Sequence, residues 1–354
     1  MDVGLMMICS SYGWDKGSDA EMWQEELKLC DVAADEGFDC IWATEHHFND
    51  YSFVPDNIHL MTHIAAKHSN IDIGTAAVIL PWHNPLRVAE NAAVLDMLSN
   101  GRLRLGFGRG LARREFENFQ VSMDESRGRF DEAAPMIIEA LETGFIEGVG
   151  PYYEQPRTEI RPRPQHSFDG RIYAVASSEE SVMSAAKLGA HIIMFADRPW
   201  EMRLPTIERG RSLHREFHGT EPPDLMMTEF VICGTDLDQC EKEARQYQGK
   251  FVESNFYHYE FLSDHFKLVK GYDSYQQKAE IARSSGLEGA IDGFMKAASW
   301  GTPDKILSGL EQRRKLLGNF ELNVCFRFGG TPYEVSERGL KLFAKEVLPI
   351  LKSW

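Results

Sequence analysis

Residues 71–106 read IDIGTAAVILPWHNPLRVAENAAVLDMLSNGRLRLG. Ile71–Leu80 is a short apolar run of strand length. Pro81-Trp82-His83-Asn84 follows as a loop, and Pro85 suits the first turn of a helix reaching Leu98. Arg102–Gly106 is a second short apolar run. The unit is strand, crossover helix, strand, and such a unit makes a parallel pair.

The same alternation recurs along the chain. Strands are expected at Val3–Cys9, Cys40–Ala43, Ile71–Leu80, Arg102–Gly106, Ile172–Ala176, Ile192–Phe195, Thr228–Cys233 and Leu322–Phe326. Amphipathic stretches at Ala20–Glu36, Asn57–Lys67, Pro85–Leu98, Gly128–Thr143, Ser181–Leu188, Trp200–His218, Leu237–Glu253, Thr302–Leu316 and Tyr333–Leu351 are expected to be helices. Eight strands, each followed by a helix, predict an α/β fold, a single (β/α)8 barrel of the TIM type over residues 1–354. The 354 residues suit it, since such barrels run from about 250 to over 400 residues. An open doubly wound sheet is the competitor, weakened by the absence of G-x-G-x-x-G after the first strand.

Two stretches break the alternation. Glu147–His166, rich in Gly, Pro and Tyr, reads as a long loop with room for a small hairpin. Residues 255–299, between the seventh and eighth strands, carry Phe256, Tyr257, Tyr259, Phe261, Phe266 and Tyr272. So many aromatics in an insertion at a βα position predict a mobile lid over the active site.

The formal charge is −16, and no basic block offers a track for nucleic acid. An acidic chain that binds an anion needs a local positive cluster. The six cysteines form no C-x-x-C pair and read as buried free thiols of a reducing compartment, so a cytoplasmic location is expected. The start has no basic, then apolar, signal pattern, and no run reaches the length of a membrane span.

Functional groups of such barrels stand at the C-terminal ends of strands. After the second strand comes Thr44-Glu45-His46-His47-Phe48. Adjacent histidines in extended chain point to opposite sides, so at most one enters the mouth. Their spacing does not suit two metal ligands on one helix face, and no acid cluster or C-x-x-C supports them, so no metal is expected. They are either half-buried histidines bonded to Glu45 or, given the strand-end position, a base or cofactor contact. Gly74-Thr75-Ala76-Ala77, after the third strand, allow either tight packing or close approach of a flat ring to backbone. Gly106-Phe107-Gly108-Arg109-Gly110, after the fourth, form either a turn with a solvated arginine or an anion site in which Arg109 grips a phosphate. Arg113 and Arg114 read as solvated. Ser177-Ser178-Glu179-Glu180 follow the fifth strand. Ser177 and Glu180 match a capping box, and the same helix start could hold a phosphate together with Arg109.

In order and spacing, these segments, with Leu80-Pro81, Lys270-Gly271-Tyr272-Asp273, Gly301-Thr302-Pro303 and Val347-Leu348-Pro349, resemble the bacterial luciferase family, its flavin-binding α subunit above all. The resemblance implies a flavin-dependent monooxygenase binding reduced FMN, which reacts with O2 to a C4a-(hydro)peroxyflavin that oxygenates a small apolar organic substrate. It places His46 on the family's catalytic histidine, Arg109 on its phosphate arginine, and Ser178, flanked by Ser177 and Glu179, on its phosphate serine. Ala76–Ala77 fall on a non-proline cis peptide under the flavin, with Thr75, Phe107 and Gly108 around it. Gly271 falls on the mobile lid, where Phe261 and Tyr272 join Phe195 and Ala196 at the substrate. Luciferase α departs in carrying cysteine at the position of Gly108 and a bulky aromatic near that of Ala196, so this pocket is altered. With no NAD(P)H motif in the chain, a separate flavin reductase is the expected partner, and the resemblance implies a homodimer through Asn57–Lys67 and Pro85–Leu98. The rival readings are an F420-dependent oxidoreductase of the same superfamily, a non-catalytic flavin-binding subunit and a metal-dependent hydrolase.

Overall fold

Alternation along each strand sorts the side chains into two layers. Val3, Leu5 and Met7 belong to the apolar cluster shared with the helices, whereas Met6 and Ile8 belong to a second cluster with Trp42, Tyr173, Ile193 and Met226. The computed structural model, which describes residues 1–14 and 17–354, closes these strands into a barrel. Its strands are β1 Val3–Met7, β2 Cys40–Ala43, β3 Asp72–Thr75, β4 Leu103–Gly108, β5 Ile172–Val175, β6 His191–Phe195, β7 Leu225–Phe230 and β8 Phe320–Cys325. Each pairs in parallel with the next, and β8 returns to β1.

Trp42 fills the barrel interior, edge-on to Tyr173 at 4.8 Å. A Cβ at Gly4 or Gly74 would lie 2.6 or 2.2 Å from its indole, so both neighbours must be glycine. Arg104 closes the N-terminal end, reaching Asp2 at 2.8 Å, Asp72 at 2.9 Å and Glu321 at 3.5 Å.

The helices that matter for the site are α1 Pro85–Ser99, α2 Ser126–Thr143, α3 Glu179–Lys187, α4 Leu237–His258 and α5 Asp273–Ala297. A hairpin forms as expected but starts before residue 147, with Phe145–Val149 antiparallel to Glu154–Glu159. Three local expectations are corrected. The third strand is not continuous: it breaks after Thr75 and resumes at Val78–Ile79, which pair with Phe107 and Gly108. The capping box lies one residue later than the motif suggested. Ser178 caps α3 and Ser181 reciprocates, which leaves Ser177 outside the box. The helix expected to end at Glu253 runs on to His258 as α4, and the insertion beyond it is largely α5, broken at Gly286.

The β3–β4 seam decides where the mouth of the barrel begins. Thr75 Oγ1 accepts from the Gly106 amide at 2.9 Å and donates to the Gly106 carbonyl at 3.0 Å. A Cβ at Gly106 would sit 2.1 Å from the Thr75 carbonyl oxygen. Gly106→Ala must therefore part the seam, and we expect a loss of about 2–4 kcal/mol of stability, read by thermal and urea denaturation. A variant as stable as the parent would show that the seam has slack.

Candidate active site

The seam delivers four of the expected residues to one place. Thr75, Ala76 and Ala77 are buried, and the Ala76–Ala77 peptide is cis. Gly108 faces them: a Cβ there would lie 3.5 Å from the Ala77 Cβ and 2.7 Å from Ile79. Backbone and small side chains thus form the wall of the mouth. Two of the expected lining residues point elsewhere. Phe107 falls in phase with Leu103 and Leu105, and all three side chains lie in the outer core under the helices. Ala196 lies in that outer core as well, whereas its neighbour Phe195 packs on the inner cluster. The cause is the two-residue period of a strand, which turns alternate side chains away from the mouth.

Arg109 stands just beyond β4. Its Nη1 donates to the Gly271 carbonyl at 2.9 Å, and its guanidinium lies 3.9 Å over the Tyr272 ring. A Cβ at Gly271, whose φ is +78°, would come 3.2 Å from both Arg109 Nη1 and Glu180 Oε2. Arg109 and the start of α3 therefore meet across Gly271. Ser177 Oγ contributes a 3.2 Å hydrogen bond to the Tyr275 hydroxyl, Ser178 is occupied as the cap, and Glu179 is exposed.

A second guanidinium joins them, unforeseen in the sequence. Arg127 of α2 donates through Nη1 to Ser184 at 3.2 Å, but its Nε and Nη2 are buried without a partner. Burial first, and then the charge of Arg109, push its pKa below the usual arginine value. Its Nη1 also lies 3.8 Å from Asp131, so the buried Nε and Nη2 are the N–H groups of this cluster that can still receive an anion. Arg127 carried no sequence signal: it precedes the helix expected from Gly128, which in the structure starts at Ser126.

Of the paired histidines, His46 faces the mouth. His47 turns to Glu45, 3.3 Å away, which also binds His83 at 2.7 Å. Burial alone would raise the Glu45 carboxyl, but bonds from His47, His83 and the Ile79 amide hold it below the usual range. His46 Nδ1 lies 3.1 Å from Glu115 Oε1, and Nε2 lies 3.4 Å from the Tyr259 hydroxyl. Glu115 also accepts from the His47 amide at 2.8 Å, and its side chain is 1% exposed. His258 packs edge-on to His46 at 4.9 Å and stacks on Tyr51 at 4.5 Å. Burial, followed by the neighbouring His46 and Arg114, lowers its pKa well below the usual imidazole value.

Sequence reasoning passed over Glu115 because the run Arg113-Arg114-Glu115 reads as charged helix surface. The signal it held was spacing: Glu115 lies four residues from both Leu111 and Phe119, on an apolar stripe. Arg113 keeps 42% of its side chain exposed and also pairs with Glu260 of the insertion at 2.6 Å. One carboxylate distant in sequence joins the histidines in space: His46, Glu115 and His258 bring three ligand-type atoms within 4.8 Å of one another.

The insertion covers this mouth. Phe256, Phe261, Phe266 and Tyr272 are buried in the inner cluster, and Tyr257 alone of the expected lid aromatics is well exposed. Tyr272 donates to the Gly110 carbonyl at 3.1 Å and lies 3.0 Å from Ser126 Oγ.

Residues 3–319 match the family model of the luciferase-like monooxygenases. The chain belongs to that family. It is 23% identical over 339 residues to the alkanal monooxygenase alpha chain of Photorhabdus laumondii, covering 95% of this chain and 94% of that one. It is 30% identical over 238 residues to the oxygenase component of the flavin-dependent trigonelline monooxygenase of Acinetobacter baylyi, covering 66% and 65%. Among solved structures, the monooxygenase RslO1 of Streptomyces bottropensis superposes with a TM-score of 0.79 at 25% identity over 99% of both chains. The oxygenating constituent of 3,6-diketocamphane monooxygenase of Pseudomonas putida, solved with FMN, shares the fold at 0.70 and 17% identity, covering 99% and 98%. So does the F420-dependent tetrahydromethanopterin reductase of Methanopyrus kandleri, at 0.70 and 20% over 99% of both. Membership makes the protein a flavin-dependent monooxygenase by family. Among the described residues, no helix is long and apolar enough to cross a membrane.

The unpaired N–H groups of Arg127 carry their own test. Inorganic phosphate should raise the melting temperature of this luciferase-like protein by about 1–3 °C at concentrations above its Kd. Arg127→Gln should abolish the rise, and an equal rise in that variant would refute the anion site.

Proposed function

We propose that the protein is the oxygenase component of a two-component monooxygenase, which takes reduced FMN from a separate flavin reductase and oxygenates a small apolar organic substrate. The observation that carries this is Arg109, which meets the start of α3 across Gly271, together with the partly unpartnered Arg127 bonded to Ser184 of the same helix, on the same barrel mouth as His46. Such a cluster fits a terminal phosphate ester in an otherwise acidic chain.

In this reading Arg109, Arg127, Ser177 and the free amides of α3 hold the phosphate. Thr75, the Ala76–Ala77 peptide and Gly108 leave room for a flat ring against backbone. Bound there, reduced flavin supplies the electrons that activate O2. Glu115 holds the His46 proton on Nδ1, which leaves Nε2, close to the Tyr259 hydroxyl, to take or return a proton at the reacting atoms. The aromatics of residues 255–299 act as a lid that keeps water from the site. Phe195, Phe261 and Tyr272 contribute to its apolar surroundings. The exposed Val94, Met97 and Leu98 of α1 support a homodimer through this helix.

Two variants separate the roles. Arg109→Ala should raise the FMN Kd about 10–100-fold, measured by flavin fluorescence. His46→Ala should leave that Kd within a few-fold and lower product formation about 100-fold. The opposite pattern would refute the division of labour. Failure of reduced FMN to drive O2 uptake, with turnover on reduced F420 instead, would replace the proposal by a hydride transferase.

A further inference from the structure

The functional reading uses His46 and Glu115 but gives His258 nothing to do. Its Nε2 is buried without a hydrogen-bond partner, as is Glu115 Oε2. The His258 side chain is 2% exposed, and its Nε2 lies 3.7 Å from Glu115 Oε1, too far for a hydrogen bond. His46 Nδ1 lies 3.1 Å from that same oxygen. Two imidazole nitrogens and one carboxylate thus converge on a point where two of the polar groups lack a partner.

We propose that His46 Nδ1, Glu115 and His258 Nε2 form a binding site for a divalent first-row transition metal of the Zn2+ class, and that its occupation switches the monooxygenase off. Ligand atoms around a tetrahedral zinc stand about 3.4 Å apart. Two of the three separations, 3.1 and 3.7 Å, bracket that value, and the remaining one, within 4.8 Å, closes by side-chain rotation. Two nitrogen donors favour such a metal over Mg2+ or Ca2+, which prefer oxygen. The supports that orient metal ligands are already present. The His47 amide holds the carboxylate at 2.8 Å, the Tyr259 hydroxyl lies 3.4 Å from the other nitrogen of His46, and Tyr51 stacks on His258.

Regulation follows from the position of the proton. Metal at Nδ1 displaces the proton that faces Glu115, and the neutral ring then carries its proton on Nε2. The nitrogen assigned to proton transfer loses its lone pair. Only this consequence rests on the proposed function; the binding itself does not.

The test uses the full-length protein, stripped with a chelator and free of flavin. Co2+ titration read by visible absorbance, and Zn2+ titration read by calorimetry, should each give one micromolar site per chain. Mg2+ should not compete. His258→Phe keeps the ring that stacks on Tyr51, and it should weaken binding at least 10-fold, as should Glu115→Gln. Thermal melts establish that each variant is folded, and either one, folded and weakened, supports the site. Absence of a stoichiometric site, or unchanged affinity in folded His258→Phe, overturns the proposal. With reduced FMN present, Zn2+ should inhibit O2-dependent product formation, reversibly on chelation. Metal binding without inhibition overturns the switch and leaves the site. A protein that binds metal but shows no FMN-driven O2 uptake overturns the functional reading instead.

Discussion

The seam between β3 and β4 is the constraint from which the site follows. Thr75 and Gly106 lock the two strands through a hydroxyl that both accepts and donates, and only glycine fits opposite the Thr75 carbonyl. The cis peptide, Gly108 and Arg109 all leave the barrel within three residues of that lock. Their mutual placement is set by backbone geometry and not by flexible side chains, which is what holding a rigid aromatic ring requires.

Around this wall the chain gathers opposed electrostatics. A molecule with a formal charge of −16 repels anions at long range, so an anionic ligand must be met by concentrated local charge. Arg109 and Arg127 concentrate positive charge from different elements, at the cost of the repulsion by which Arg109 lowers the Arg127 pKa. The Tyr272 ring and the Gly271 carbonyl offset part of that cost by accepting Arg109. On the other side of the mouth the buried Glu115 fixes His46. The imidazole side thus holds a fully buried carboxylate, whereas the carboxylates beside the arginines, Asp131 and Glu180, stand at the surface.

The insertion joins the two halves. Its backbone carbonyl at Gly271 touches the arginine side, its Tyr259 hydroxyl touches the imidazole side, and Glu260 ties it to Arg113. Aromatic packing supplies the area that holds it down, while these few polar contacts set its register over the mouth. The helical form of α4 and α5 satisfies the backbone groups of a segment that would otherwise bury them unpaired.

The sequence by itself determined the order of strands and helices, and with it the closed barrel, because the period of apolar residues reports local structure directly. It also placed His46 and Arg109 just beyond strand ends, because that position is a property of the chain alone. Only the tertiary structure decided that Phe107 and Ala196 face the outer core, since that depends on which phase of the alternation meets the mouth. It likewise decided the roles open to Glu115, Arg127 and His258. Glu115 meets His46 across 69 residues of chain, and Tyr259 meets it across 213. A charged residue on a helix looks the same in sequence whether water or another side chain faces it. Burial and the approach of distant partners separate the two cases, and both are consequences of closing the barrel.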